Sequence, residues 1–171
     1  DYKGDVRWHL NIPCVFDLKR VKNGNILIGS HRLLKIPYYM SGIYEMTMAG
    51  KIVREYRLPG GYHHDQFEME NGDLLILTED LRSETVEDMC VLVDRYTGEI
   101  KKTWDYKDFL DPEKVARSGS WTEEDWFHNN AVWYDKHTNS LTFSGRHIDA
   151  MTNIDYDTGK LNWVIGDPEM W

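Results

Sequence analysis

The segment "VFDLKRVKNGNILI" (Val15–Ile28) returns without a gap as "HHDQFEMENGDLLI" (His63–Ile76), 48 residues further on. The same step carries "YEMTMAGKIVREY" (Tyr44–Tyr56) onto "LVDRYTGEIKKTW" (Leu92–Trp104), and that segment matches "NIDYDTGKLNW" (Asn153–Trp163). A chain that repeats itself at this step folds as a series of like units, each burying its apolar face against the next. Within a unit, an alternating strand runs to an N-G-N or N-G-D turn and a short apolar strand follows. A third strand then reaches a T-G or A-G turn, and a fourth ends at an aromatic. Asn-Gly between alternating apolar runs is the strongest short hairpin signal, because the glycine takes the positive φ of the tight turn. The third unit replaces that turn by "DKHTNS".

Four strands per unit of about 45–50 residues is the pattern of a β-propeller blade. The expected fold is therefore all-β: one partial propeller domain over residues 1–171, with units at 9–56, 57–104 and 105–163. The opening "DYKGDVRW" reads as the tail of a further copy, so about three to three and a half blades are present. Propellers close with about 4–8 blades, and three would leave a long open sheet edge. The chain, which begins with Asp1 rather than Met, is accordingly expected to be a piece of a larger propeller; a solenoid of stacked units is the runner-up. Residues 105–127 of the third unit are an insertion. It contains "DPEKVAR" (Asp111–Arg117), expected to be a short helix capped by Asp111 with Pro112 in its first turn.

The formal charge of −9 disfavours a basic nucleic-acid-binding face. No apolar run approaches the ~20 residues that cross a bilayer. Cys14 and Cys90 lack metal-ligand spacing; two reduced thiols are the default, and a disulfide stays open. There is no P-loop, G-x-S-x-G or G-x-G-x-x-G. Neither a metal nor a cofactor is expected.

The innermost strand of a blade lines the central channel, and residues i and i+2 share a face. Aligning the units puts Phe16 with Leu18, His64 with Gln66, and His128 with Asn130 toward the channel, with Asn129 facing away. The first pair is apolar and the other two are polar. Buried polar groups are costly unless used, so the contrast marks a site. The ends of the second strands align His31, Glu79 and Arg146. Arg146 follows the small residues Ser144 and Gly145, and an arginine so placed suits bidentate grip of an anionic oxygen; pairing with Asp149 is the plain alternative. His9, His31, His137 and His147 read as ordinary, and Tyr56, Trp104 and Trp163 as packing between blades.

"DWFHNNAVWYDKHTNSLTFSGRHIDAMTNIDYDTGKLNWVIGDPEMW" (Asp125–Trp171) closely resembles the bacterial arylsulfate sulfotransferases that need no nucleotide sulfate donor, as does "HHD" with "NGD". The resemblance implies a six-bladed propeller and sulfuryl transfer from a phenolic sulfate ester to another phenol, in ping-pong fashion through a sulfohistidine. It places the family's H-x-N on His128 and Asn130 and its S-G-R-H arginine on Arg146. His128 and Arg146 are thereby catalytic, and Asn130 with His64 substrate-binding. The nucleophilic histidine is expected in a later blade, past "GDPE", so that these residues alone would be inactive. The family also implies a periplasmic or extracytoplasmic location and allows a homodimer. Two other readings compete: a quinoprotein-like propeller, because "DYDTGKLNW" resembles a tryptophan-docking repeat, and a non-catalytic binding propeller.

Overall fold

The computed structural model describes residues 1–171 as three antiparallel sheets laid one against the next. The first holds β1 (Leu18–Arg20), β2 (Ile26–Gly29), β3 (Leu33–Lys35), β4 (Tyr39–Met46) and β5 (Ile52–Tyr62), in the order β1-β2-β4-β3 with β5 also on β4. The second is a four-strand meander of β6 (Gln66–Glu68), β7 (Leu74–Thr78), β8 (Met89–Val93) and β9 (Ile100–Asp105). The third repeats it with β10 (Asn129–Asp135), β11 (Ser140–Gly145), β12 (Ala150–Asp155) and β13 (Leu161–Gly166). The meander order is that of a propeller blade.

The stacking follows from alternation. In β7, Leu74 and Ile76 face the first sheet, joining Leu27, Ile43, Tyr56 and Tyr62. Leu75 and Leu77 face the third, joining Phe127, Leu141 and Phe143. β8 divides likewise: Val91 and Val93 to one side, Cys90 and Leu92 to the other. A strand buried on both faces carries a continuous apolar run, and "LLIL" and "CVLV" are such runs. The outer face of the first sheet, with Ile26, Ile28, Tyr44 and Met46, is covered by Leu10 and Ile12 of the N-terminal segment. That segment is tied down by Trp8, whose indole N–H donates to the Met48 carbonyl at 2.8 Å.

Three details differ from the sequence reading. The first sheet gains β3, a local hairpin partner of β4. Residues 111–117 form a turn rather than a helix. Asp111 does accept from the Glu113 N–H, but one Lys114 N–H to Asp111 carbonyl bond is the only backbone closure, too little to offset helix nucleation. The one helical turn is a 3-10 segment at Tyr106–Asp108. Finally, Trp104 and Tyr56 are buried between sheets, whereas Trp163 stays partly exposed on the open face of the third sheet with Trp133 and Ile165. Both cysteines are free, Cys90 in the core and Cys14 exposed.

Candidate functional site

Two of the inner strands are preceded by a residue in the left-handed region: His64 at φ 51° and His128 at φ 52°. Glu87, between β7 and β8, takes φ 55°. Such backbone is strained for non-glycine residues, and they gather at functional sites. The three meet. His64 and His128 lie edge to face with ring centroids 5.2 Å apart. Glu87 Oε2 stands 3.2 Å from Nδ1 of His128 and 3.5 Å from Nδ1 of His64.

Backbone pairing holds these segments together. Asn129 N–H donates to the Glu87 carbonyl, Arg146 N–H to that of His128, and His147 N–H to that of Phe127. Trp126 and Phe127, both fully buried, anchor the end of the insertion in the core. The Trp126 indole N–H also donates to Asp88 Oδ2 at 2.9 Å. Asp65 ties the three inner strands, pairing with Lys19 of β1 and accepting from the backbone N–H groups of Gln66 and Val132.

The left-handed turns break the alternation on which the sequence reading depends. Gln66 is fully buried; it takes the Tyr62 hydroxyl on its side-chain oxygen and donates to the Asp17 carbonyl, so it belongs to the core. Asn129 points into the core as well, donating to the Tyr106 hydroxyl. Asn130 is the extra residue of a bulge between Asn129 and Ala131 and is exposed without a side-chain partner in the chain. Sharing of a face by His128 and Asn130 does not follow from strand alternation here, because His128 precedes the regular strand. Phe16 rests on the His64 ring at 4.9 Å, while Leu18 is exposed. Of the His31, Glu79 and Arg146 column, Arg146 alone reaches the histidines. His31 is exposed against Tyr44, and Glu79 is buried 3.7 Å from Lys35, its carboxyl pushed up to about 7 chiefly by burial.

Arg146 pairs with no carboxylate. Its one side-chain contact places Nη1 3.4 Å from Nε2 of His128. On its other edge His128 Nδ1 meets Asp125 Oδ2 at 2.6 Å, so Nδ1 carries the hydrogen. Burial opposes the imidazolium of His128, but the Asp125 hydrogen bond and the Glu87 and Asp125 charges outweigh both burial and Arg146, and its pKa is raised. Arg146 Nη1–H donates to the Nε2 lone pair when His128 is neutral; protonating His128 turns this contact into two facing donors. An anionic oxygen between them removes their mutual repulsion.

His64 has the opposite bias. His63, wholly buried, has Nε2 3.2 Å from the Thr78 carbonyl, which can only accept, so the His63 proton sits on Nε2. Its Nδ1 lone pair faces His64 Nδ1 at 3.1 Å, which makes His64 the donor there and leaves His64 Nε2 bare. Burial, then the charges of His128 and Arg146, hold His64 down to about 4, with Asp125 opposing; burial and His64 hold His63 down to about 3.

Sequence reasoning does not find His63, Tyr38, Tyr39, Glu87, Asp125 or the proximity of His147. The His147 ring lies 4.5 Å from that of His128 and its Nδ1 donates to the Asp125 carbonyl at 2.6 Å. Its position beside Arg146 in "SGRH" is the available signal. Two sets of three donor atoms, of His63, His64 and Glu87 and of Asp125, His128 and His147, lie within 4.8 Å of one another. Hydrogen bonds already join His63 to His64 and both His128 and His147 to Asp125, and a cation at the second set would face Arg146, so that set favours anion recognition. A cleft of about 490 Å³ lined by Leu58, Pro59, Leu81, Met89 and Ile100 contains none of these residues. No helix is long and apolar enough to cross a membrane.

Comparison with known proteins adds independent information. The Arylsulfotransferase (ASST) family profile matches residues 1–171. An arylsulfate sulfotransferase AssT from Escherichia coli O6:H1 is 21% identical over all of this chain and 36% of its own length. One from Lelliottia amnigena is 22% identical over 75% of this chain and 28% of its own length. The chain thus spans about a third of these relatives. Among solved structures, a protein of unknown function from Bacteroides caccae superposes with a TM-score of 0.56 at 17% identity, covering 90% of this chain and 50% of that one, a likeness of fold.

Proposed function

The chain belongs to the arylsulfotransferase family, and on that premise we propose that His128 and Arg146 form the sulfate-binding half of a nucleotide-independent arylsulfate sulfotransferase. The observation that carries this reading is the Arg146 guanidinium, free of any carboxylate and 3.4 Å from Nε2 of a histidine biased toward its charged form. In sulfuryl transfer, as in phosphoryl transfer, charge gathers on the peripheral and leaving oxygens. Arg146 holds a peripheral oxygen of the bound sulfate ester. His128 stabilises the leaving phenolic oxygen and gives it the Nε2 proton. His64 and the exposed Asn130 contact the ester from the neighbouring inner strands.

Transfer runs in two steps through a histidine. The sulfur–oxygen bond to the donor phenol breaks as a sulfur–nitrogen bond forms. An acceptor phenol then takes the sulfuryl group, giving up its proton as the histidine is regenerated. In the intact protein these sheets are blades of a larger propeller in an extracytoplasmic compartment, the substrates are phenolic sulfates and phenols, and the resemblance assigns the nucleophilic histidine to a further blade.

The test is release of 4-nitrophenolate from 4-nitrophenyl sulfate by the full-length protein, with a phenol and no nucleotide present. Arg146→Ala is expected to cost about 10²–10³-fold in kcat. The double variant with His128→Ala should fall to background. Activity retained by the double variant would overturn the assignment.

A further inference from the structure

Glu87 is the group on which the site converges, and neither the repeat nor the resemblance assigns it a role. Its side chain is fully buried. Oε1 accepts two hydroxyls, from Tyr38 at 2.6 Å and Tyr39 at 3.0 Å. Oε2 accepts no hydrogen bond of good geometry and stands between two imidazoles, 3.2 Å from Nδ1 of His128 and 3.5 Å from Nδ1 of His64. Its own backbone is left-handed, so the side chain enters the site from the β7–β8 connection rather than from a strand.

We propose that Glu87 is a positioning residue of the site: a shared counter-charge, locked by Tyr38 and Tyr39, that turns the Nδ1 edges of His64 and His128 inward and so presents both Nε2 edges to substrate. The proposal rests on the sulfuryl-transfer reading for its kinetic consequence, though not for its geometry. With ring centroids 5.2 Å apart, a charge on either ring disfavours a charge on the other, and an anion facing both Nδ1 edges eases that coupling. Asp125 hydrogen-bonds His128 and acts on His64 only from farther away; Glu87 is the one carboxylate in contact with Nδ1 of both rings. The groups that face Glu87 are Tyr38 and Tyr39 from the start of β4, His64 ahead of β6, and His128 with Asp125 ahead of β10. Glu79, a carboxyl raised to about 7, lies farther off. Burial, and then the Asp125 charge, raise the Glu87 carboxyl, while the Tyr38 and Tyr39 hydroxyls and the His128 charge favour its anion.

Glu87 supports the charged form of His128. Removing that charge lowers the pKa of His128, and activity that needs the imidazolium then fails at a lower pH.

The experiment is ¹⁵N NMR of histidine-labelled protein across pH, paired with the kinetics of the full-length enzyme. In the unaltered protein, neutral His64 and neutral His128 are expected as Nδ1–H tautomers. In Glu87→Gln the His128 titration midpoint falls, the alkaline limb of kcat/KM moves down with it, and kcat drops about 10–100-fold with a smaller change in KM. Glu79→Gln is the control: it removes a buried carboxylate that faces Lys35, and the His128 midpoint stays put. An unchanged His128 midpoint in Glu87→Gln overturns the proposal. So does an Nε2–H tautomer of His128 in the unaltered protein, a result that needs no variant to fold. Correct tautomers and a shifted midpoint, without any transfer from 4-nitrophenyl sulfate, leave the Glu87 role standing and remove the sulfotransferase reading.

Discussion

His64 and His128 begin the inner strands of adjacent sheets in the same left-handed conformation, yet their surroundings drive them apart. His64 meets the lone pair of a buried, neutral His63 and is held down to about 4. His128 meets the Asp125 carboxylate and is raised. One fold position thus yields a neutral imidazole and a charge-prone one side by side. The backbone is shared and the second neighbour decides. Titratable pairs pushed apart in this way are how a site divides acid and base work between like residues.

The comparison breaks most severely if His128 is made to resemble His64. Asp125→Ala removes the hydrogen bond and charge that favour the imidazolium, leaving Glu87 alone against burial and Arg146. The His128 midpoint should fall below the ordinary histidine value. At neutral pH kcat/KM should drop by about 10²-fold or more, with activity partly recovered on acidification. A uniform loss at every pH would mean that Asp125 holds the loop and does not set the charge.

A change on the other side comes next. His63→Asn takes away the lone pair that fixes the His64 tautomer. The expected cost is about 2–4 kcal/mol of stability in chemical denaturation, because a buried ring is lost and the Thr78 carbonyl loses its donor. Activity should fall about tenfold, and the tautomer of His64 should become mixed by NMR.

The frame around this pair is legible in the sequence and its second neighbours are not. Asn-Gly turns and the 48-residue step mark local, repeated chemistry, so four-stranded units can be read directly. His128 and Arg146 stand out because each occupies a place where other units carry something else. Glu87, Tyr38 and Asp125 lie in connections whose lengths differ between units, so no alignment column exposes them. Strand alternation misplaces Gln66 for a specific reason: it assumes a regular strand back through His64, whose left-handed φ reverses the facing of the residues beyond it. A single sequence carries no reliable sign of a left-handed histidine.

The pair also predicts how stability depends on pH. His63 and His64 bind protons less readily folded than unfolded, at about 3 and about 4 against an ordinary 6.5. Between those values the unfolded chain holds more protons, so stability falls as pH drops from about 6.5 toward 4, by a few kcal/mol. His128 has the opposite sign: its contribution is present below 6.5 and is lost as pH rises through its raised folded value. His63→Asn should therefore flatten the acid side of the curve measured by urea unfolding. If the acid side keeps its slope, His63 is not the buried neutral ring that the Thr78 contact describes.

The smallest expected effect tests where the site ends. Asn129 comes directly after His128, yet it belongs to the core, donating to Tyr106 among Phe109, Phe127 and Phe143. Tyr106→Phe keeps the ring and deletes the hydroxyl, leaving one Asn129 N–H buried without an acceptor. That costs about 1–3 kcal/mol, or several degrees in Tm for a chain of this size. The Asn129 side-chain oxygen still accepts from Ala131 N–H, so the bulge has reason to persist. Nothing in the change touches Asp125, Glu87 or Arg146, and the pH profile of kcat/KM should keep its shape while thermal stability falls. A shifted limb in Tyr106→Phe would show that the charge on His128 is set through the strand as well as by its two carboxylates, and the contrast with His64 would then belong to the whole strand start.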